Sequence, residues 1–257
     1  MSTLQRFFPT QQPIIVGQSI NLEEIHHQLH VVLRLQPGAQ LVVLDGQGRA
    51  FQVELITLTR KAASGRVLAE VPCAAEPTAQ LTLYQCTLKA DKFEWILQKG
   101  TELGVTRFVP VISQRSIVRP AAAVLKKYER WQAILREAAE QCGRGRLPEL
   151  APPLDWRDAL QQAQGVRLLP WEEQSTIAIT IKAAITQAAI DSNPKSKIQN
   201  PKSVALLIGP EGGIAHEEAT AAQAQGWQFI SLGPRILRAE TAALTSIVLA
   251  LEYLHQL

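Results

Sequence analysis

The sequence predicts an α/β protein with a mainly parallel sheet flanked by helices, preceded by a small β domain. From residue 81 onward, short apolar runs alternate with segments of helical spacing, which is typical of a parallel sheet with helices on both faces. Before residue 72, the apolar residues instead follow short strand-like patterns. Near the C-terminus, the loops of residues 209–213 and 232–242 each leave a predicted buried strand and enter a predicted helix. We expect neighbouring parallel strands to end in these loops, which is where open sheets bind ligands.

Composition and charge narrow the class of protein. The chain has 257 residues, 46% hydrophobic and 19% charged, which fits one large or two modest globular domains. A net charge of +3 does not by itself imply a nucleic-acid partner. Three distant cysteines favour a reducing compartment over disulfides or a metal site. Because the chain shows neither a signal-peptide core nor an apolar stretch of membrane-spanning length, we expect a cytoplasmic protein with no membrane partner.

The N-terminal segment reads as a compact β-barrel. Residues 41–44 and 50–56 form a predicted hairpin across a Gly-containing connection, and residues 66–71 form another strand. Pro72 and Pro77 bracket a short linker. We therefore predict two domains, residues 1–72 and residues 73–257.

The second domain begins with a predicted strand at residues 81–88. Asp91 is placed to cap the helix that follows. Residues 108–112 form a strand at or near an edge, because Pro110 cannot donate to a ladder. Residues 121–141 are predicted to be one long helix, ended by Gly143.

Strands and helices continue to alternate toward the C-terminus. The predicted order is strand 166–169, a helix to about residue 189, strand 204–208, helix 217–225, strand 228–232 and helix 240–254. One segment, residues 192–203, breaks this pattern with two copies of Asn-Pro-Lys-Ser. Its polarity and prolines favour a mobile, solvated insertion over an RNA contact.

The first C-terminal loop is Gly-Pro-Glu-Gly-Gly at residues 209–213. Gly212 and Gly213 permit a positive φ and close approach of the backbone to a ligand. The loop lacks the lysine and hydroxyl spacing of a phosphate-binding loop. Taken alone, it is equally compatible with a tight structural turn.

The second loop favours a ligand site. Gly233 and Pro234 turn the chain, and the apolar pair at residues 236–237 could flank an aromatic base. Arg238 and Glu240 precede a helix that Thr241 could cap. Two such loops together favour a small-molecule site over an ordinary surface pair of charges.

Eight basic residues lie within about one predicted helix and its flanks. They are Arg115, Arg119, Lys126, Lys127, Arg130, Arg136, Arg144 and Arg146. A solvated helix face is the better interpretation for residues 126–130. Arg144 stands between Gly143 and Gly145, and Arg146 follows Gly145, which predicts reachable guanidinium groups suited to phosphate. His26, His27 and His30 have near-helical spacing, but no further ligand completes a metal site.

Several segments resemble the 16S ribosomal RNA (uracil-N3)-methyltransferase family of the SPOUT superfamily. They occur in family order over nearly the whole chain, namely Arg-Phe-Phe at 6–8, residues 30–34, residues 92–105, residues 137–144 and the two C-terminal loops. Gly100, where the family often has alanine or serine, and the insertion at 192–203 are departures from the pattern. Neither touches a predicted ligand loop.

The resemblance implies a trefoil-knotted SPOUT domain, a PUA-like RNA-binding barrel, a homodimer and S-adenosylmethionine as methyl donor. The target would be N3 of a uridine in 16S ribosomal RNA, and no metal is needed because the sulfonium is already an activated leaving group. The cofactor-binding residues would be Leu207, Ile208, Gly209, Pro210, Gly213, Leu232, Gly233, Ile236, Leu237 and Thr241. Arg238 would stabilise the uracil anion, and Glu211 would handle the proton. Arg6, Arg34, Arg144 and Arg146 would contact RNA.

Two alternatives stay open at this point. A SPOUT methyltransferase could act on another ribosomal or transfer RNA base. A non-catalytic ribosome-binding factor could keep the fold without the cofactor, although the intact glycines of both loops favour an enzyme.

Overall fold

The computed structural model describes residues 4–9, 13–73, 76–171, 178–192 and 203–256. The chain divides into two compact units. The N-terminal unit comprises Met1–Glu76 and Arg136–Leu147, and the sheet unit comprises Pro77–Leu135 and Pro148–Leu257. No sequence pattern indicated that residues 136–147 fold with the N-terminal unit. The insertion predicted at residues 192–203 lies almost wholly outside the described residues.

The N-terminal unit is a five-stranded sheet. Its strands are β1 (Arg6–Phe7), β2 (Ser19–Asn21), β3 (Gln40–Leu44), β4 (Ala50–Leu58) and β5 (Ala63–Val71), in the order β1-β3-β4-β5-β2. The predicted hairpin is confirmed, because Leu44 of β3 pairs with Ala50 of β4 in an antiparallel ladder. A short 3-10 helix, Glu23–Ile25, and a π-helix, Gln28–Val32, follow β2.

One apolar core lies inside this sheet. Phe7 of β1 and Ile20 of β2 are both buried in it, so the two end strands share the core as they would in a barrel. Among the described residues, no ladder joins β1 to β2. The burial of Leu29 adds the π-helix to the same core.

The sheet unit is built on parallel strands. They are β6 (Gln80–Cys86), β7 (Arg107–Ile112), β8 (Glu149–Leu150), β9 (Leu154–Asp155), β10 (Val166–Pro170), β11 (Ser203–Ile208) and β12 (Gln228–Ile230). The order is β12-β10-β11-β6-β7-β8, with β9 also paired to β7. The α-helices of the chain are α1 (Ala90–Leu103), α2 (Ala121–Leu125), α3 (Tyr128–Cys142), α4 (Trp156–Gln162), α5 (Ile181–Ser192), α6 (His216–Ala224) and α7 (Ala239–Tyr253). Residues 136–142 of α3 belong to the N-terminal unit. The predicted α/β fold with a parallel sheet is confirmed.

Both faces of the sheet are covered. Successive residues of β11 alternate between two cores, so Leu206 and Ile208 face α1, α5 and α7 while Leu207 faces α4 and α6. A strand buried on both faces is continuously apolar, which explains the run at residues 204–208. Helix α1 approaches β7 closely because Gly100 has no side chain, and a Cβ there would stand 2.9 Å from the Phe108 ring.

Some predicted elements are corrected. The helix predicted over residues 121–141 is two helices, α2 and α3, and α3 does end before Gly143, whose φ is +82°. Asp91 does not cap α1. Lys89 occupies the N-cap, and Asp91 lies inside the first turn, where a negative charge is favourable to the helix dipole.

The position of β7 agrees with its proline. Pro110 lies between the pairings with the two-residue strands β8 and β9, so its missing N–H breaks no ladder there. The prediction of a strand near an edge is confirmed. No helix within the described ranges has the length and apolar character required to cross a membrane.

Candidate functional site

The two C-terminal loops meet at the carboxyl edge of the sheet. The first loop follows β11 and the second follows β12, but β10 lies between these strands. The expectation that they are neighbours was therefore wrong. Because all three strands are parallel, their ends still share one edge, and Pro170 at the end of β10 lies between the loops.

Two cavities open at this edge. The first, of about 420 Å³, is lined by Trp171, Ile230 and the second loop. The second, of about 300 Å³, is lined by both loops and by Lys92. They share Pro170, Ile236, Leu237 and Ala242, so they form one continuous groove. A groove of this size fits a small organic ligand.

Most of the predicted cofactor residues line this groove. Those on the second cavity are Ile208, Gly209, Pro210, Gly213, Ile236 and Leu237, together with the predicted catalytic residues Glu211 and Arg238. Leu232 and Gly233 line the first cavity.

Two predicted residues lie elsewhere. Leu207 is fully buried on the opposite face of β11 and lines neither cavity. Thr241 is exposed in the first turn of α7 and does not cap that helix, because Arg238 occupies the N-cap.

The first loop is fixed by protein contacts. The N–H of Gly213 donates to the carbonyl of Pro210 at 3.0 Å, and the φ of Gly213 is +72°. Gly209 packs against Ile214, which would lie 2.8 Å from an added Cβ. These contacts fix the backbone of the first loop where it lines the second cavity.

A lysine joins the two loops. The Nζ of Lys92 lies 3.5 Å from Glu211 Oε1 and 3.8 Å from Glu240 Oε2. The backbone N–H of Lys89 also donates to Glu211 Oε1 at 3.3 Å. Within the described part of the chain, the buried Oε2 atoms of both glutamates have no hydrogen-bond partner. Both glutamates line the second cavity, so the charges of this cluster lie at the groove.

Sequence reasoning did not single out Lys92. It is in the first turn of α1, and α1 follows β6, whose carboxyl end lies at the same edge as the two loops. The rule that ligands bind at this edge could have identified it.

Glu218 caps helix α6, which follows the first loop. Its carboxylate accepts from the N–H of Gln114 at 2.7 Å and from the N–H of Ala215 at 3.3 Å. Trp156 Nε1 donates to its backbone carbonyl at 3.1 Å. A contact made across 104 residues, as between Glu218 and Gln114, leaves no local signal in the sequence.

The second loop has few protein contacts. Ile236 is 83% exposed, and Arg235 and Arg238 are also exposed. Gly233 has a φ of +109° and no atom within 4 Å of where a Cβ would stand. Its N–H donates to the hydroxyl of Ser231 at 3.3 Å.

Arg144 does not have the predicted reachable guanidinium group. It is buried in the N-terminal unit, where its Nη2 and Nε lie 2.9 and 3.1 Å from Glu76 Oε2. The flanking glycines serve close packing, since a Cβ on Gly145 would stand 2.6 Å from the sulfur of Cys73. The expectation of a reachable guanidinium group was therefore wrong, and a buried arginine in an ion pair has little charge to offer to RNA.

The other predicted RNA-binding residues remain accessible. Arg146 is exposed, although its N–H donates to Glu76 and its Nε donates to Gln47 O. Arg34 is exposed with a φ of +52°, and Arg6 is half-buried beside Gly143. Their contact with RNA stays a prediction.

Other reactive side chains do not add a second centre. Among the described residues, no group of three or more His, Cys, Asp or Glu is arranged to hold a metal ion. The rings of His26 and His30 stack with centroids 5.4 Å apart. Burial raises the pKa of the Cys86 thiol, so it stays neutral and is a poor nucleophile.

Comparison with known proteins identifies the family. Residues 75–251 match the RNA methyltransferase domain, and residues 23–68 match the RNA methyltransferase PUA domain. The ribosomal RNA small subunit methyltransferase E of Bacillus subtilis is 32% identical over 95% of this chain and 94% of its own length. The Synechocystis enzyme of the same name is 36% identical over 84% of this chain and 67% of its own.

Solved structures agree with this match. The ribosomal RNA small subunit methyltransferase E of Neisseria gonorrhoeae, bound to S-adenosyl methionine, has a TM-score of 0.81 at 32% identity, covering 97% of this chain and 98% of that one. A methyltransferase of Legionella pneumophila in complex with SAM has a TM-score of 0.84 at 29% identity and the same coverage. The α/β fold with an N-terminal PUA domain is therefore confirmed, and the chain belongs to the RNA methyltransferase family whose curated members are called ribosomal RNA small subunit methyltransferase E.

Proposed function

We propose that this protein transfers a methyl group from S-adenosylmethionine to N3 of a uridine in small-subunit (16S) ribosomal RNA. The observation that carries the proposal is the groove lined by both glycine-containing loops at the carboxyl edge of the sheet. Relatives of closely similar fold hold this cofactor. The uridine position follows from the family that the sequence motifs resemble.

The residues of the groove suit the cofactor. Ile236 and Leu237 line both cavities and offer apolar surface for an adenine ring. Glu211 and Glu240 line the second cavity, where their carboxylates can accept hydrogen bonds from polar groups of the ligand. Gly209 lines the second cavity, and a side chain at this position would collide with Ile214, so the position requires glycine. Leu207 and Thr241 remain weaker members of the proposed set because neither lines the groove.

The bound cofactor supplies a methyl group on a sulfonium, which is an activated leaving group. The protein must remove the N3 proton of uracil and stabilise the ring anion, so that the N3 electron pair forms the new N–C bond as the S–C bond breaks. We assign the proton to Glu211 and the anion to Arg238, since both line the second cavity. When Glu211 gains the proton, Glu240 still holds the Lys92 ammonium beside the site.

RNA recognition is proposed for residues 1–72 and the exposed arginines of the N-terminal unit. This segment has six Lys or Arg against five Asp or Glu up to residue 71, so bulk charge cannot attract RNA. Individual side chains must instead contact the RNA, and we propose that Arg6, Arg34 and Arg146 make these contacts. Residues 73–257 form the proposed methyltransferase domain.

We also propose a homodimer and a trefoil knot, as in the family that the motifs resemble. An apolar groove of about 470 Å³ lies between α1 and α7, lined by Leu103, Leu244, Val248 and Leu249. Helix α7 is therefore apolar toward the core and also on its outer side, which suits a second copy of the chain. Light scattering at micromolar concentration should give twice the chain mass of 28.3 kDa, and a monomer that methylates RNA would contradict the dimer.

The deciding test is mass spectrometry of small-subunit ribosomal RNA after reaction with labelled S-adenosylmethionine. We expect one methyl group at N3 of one uridine, and the same mark should be missing from cells that lack the protein. A methyl group on another base or on transfer RNA would support the alternative methyltransferase. Absence of cofactor binding in a calorimetric titration would support a non-catalytic ribosome-binding factor.

A further inference from the structure

The loop of residues 113–120 leaves the sheet at the same edge as the proposed cofactor groove. It joins β7 to α2. Ser113 and Ser116 are buried, whereas Arg115, Ile117 and Arg119 are exposed. The loop therefore presents two cationic side chains and one apolar side chain to solvent.

The loop is held from inside by polar contacts. The hydroxyls of Ser113 and Ser116 lie 2.9 Å apart, and the N–H of Ser113 donates to Ser116 Oγ at 3.0 Å. Thr87 Oγ1 donates to the carbonyl of Val118 at 2.8 Å. The Gln114 N–H is held by Glu218, whose carboxylate also accepts from the N–H of Ala215 at the start of α6. A loop fixed in this way loses little conformational entropy when it binds a partner.

The two exposed arginines keep their charge available. Arg115 Nη1 donates to Gly212 O and Arg119 Nη1 donates to Gln114 O, both at 3.2 Å. Neither makes an ion pair with an acidic side chain of the described residues. Each guanidinium has five N–H donors, so most donors of each group are left for a ligand.

Arg130 shows the opposite arrangement. It is also exposed to solvent, but its Nε and Nη2 donate to the two carboxylate oxygens of Glu94 at 2.7 and 2.6 Å. A bidentate pair neutralises the charge and occupies the face that would meet a phosphate. Within the described structure, Arg130 is therefore neutralised by an ion pair, whereas Arg115 and Arg119 remain able to bind an anion.

We propose that the 113–120 loop is a contact surface for the RNA strand next to the methylated nucleotide. Arg115 and Arg119 each bind a backbone phosphate, and Ile117, which is 57% exposed, packs against a flanking base or sugar. The inference rests on the proposed function, and RNA is the partner because two unpaired cations beside an apolar side chain match a single strand. Arg115 also links this surface to Gly212 in the first cofactor loop.

The test compares Arg119→Gln and the double variant Arg115→Gln/Arg119→Gln with Arg130→Gln, which removes the same charge from an ion-paired position. The probe is deproteinised small-subunit ribosomal RNA, with filter binding measured over a range of salt concentrations. We expect the slope of log K against log salt to become shallower by about 0.7 for each lost phosphate contact. Arg130→Gln should keep the wild-type slope.

Cofactor titration by calorimetry accompanies these measurements. Arg119→Gln should retain wild-type affinity for S-adenosylmethionine, because its side chain contacts neither cofactor loop. An unchanged slope in the double variant, or an equal change in Arg130→Gln, would overturn the assignment of this loop. If the wild-type protein binds RNA through this loop but transfers no methyl group, the proposed function is wrong and the RNA-binding role of the loop is kept. If the wild-type protein binds no RNA, both fall.

Discussion

In the first cofactor loop, Glu211 lies against Lys89 and Lys92, and Gly212 accepts a hydrogen bond from Arg115. In the second loop, Ile236 is 83% exposed and no atom lies within 4 Å of a Cβ built on Gly233. Both loops have the same place in the fold, after a parallel strand and before a helix. They differ in how much of their conformation the rest of the protein holds.

This difference suggests a division of labour between the loops. The first loop is preorganised, so it can position polar groups without a cost at the moment of binding. The second loop contributes apolar side chains that become buried only when a ligand lies against them. We therefore propose that similar Gly-Pro sequences form two walls of one groove, a fixed wall in the first loop and, in the second loop, a wall that closes on the ligand.

The largest effect is expected from the fixed wall. Gly213→Val places a β-branched side chain at a φ of +72°, which such residues rarely adopt, and should abolish cofactor binding in a calorimetric titration. Gly226→Val is the matched control, because Gly226 has a φ of +81° and lies between α6 and β12, away from the groove. Both should lose stability, but only the first should lose the cofactor. Wild-type cofactor affinity in Gly213→Val would contradict the hypothesis that a preorganised first loop binds the cofactor.

A second large effect is expected from a substitution in the second loop. Arg238→Ala should lower the single-turnover methylation rate about 100- to 1000-fold while cofactor affinity changes little, as expected for charge stabilised only in the transition state. Arg235→Ala removes an exposed arginine of the same loop and should stay within a few-fold of wild type. Equal rates for the two variants would remove Arg238 from the mechanism.

The connection between the loops should have an intermediate effect. Lys92→Met keeps the side-chain length but removes the ammonium that lies near Glu211 and Glu240. Partly exposed ion pairs contribute up to about 1 kcal/mol each, so we expect roughly fivefold weaker cofactor binding. Lys92→Arg should recover most of it, and Lys182→Met on α5 should have no effect. Wild-type cofactor affinity in Lys92→Met would show that the lysine does not join the loops. The same conclusion would follow if Lys92→Arg bound the cofactor as weakly as Lys92→Met.

Sequence reasoning succeeded where the determinants are local. The apolar run of β11 and the glycines of the two loops are properties of short segments, so the strands, the helices and most of the groove could be predicted. It failed where a distant partner decides the outcome. Arg144 was expected at the surface because glycines flank it, but Glu76, 68 residues earlier in the chain, holds it in the interior.

Strand order was also beyond the reach of the sequence pattern. The loops after β11 and β12 were expected on neighbouring strands, whereas β10 lies between them. Lys92 was missed for the same reason, since its role depends on β6 pairing with β11. The sequence can predict which side chains share the carboxyl edge, but which of them lie close together is known only after the strand order is known.

The smallest effect, and the most direct test of the comparison, concerns local motion. Addition of S-adenosylmethionine should slow amide hydrogen exchange severalfold over residues 232–238, because burial of Ile236 and Leu237 against the ligand gives the second loop contacts that it otherwise lacks. Exchange at Gly213, whose N–H already donates to Pro210 at 3.0 Å, should change much less. Mass spectrometry of peptides covering the two loops separates these responses, and Gly213→Val with the same cofactor concentration provides the unbound reference. Equal protection of both loops, or stronger protection of the first, would mean that the cofactor organises the two walls alike and that the division of labour is wrong.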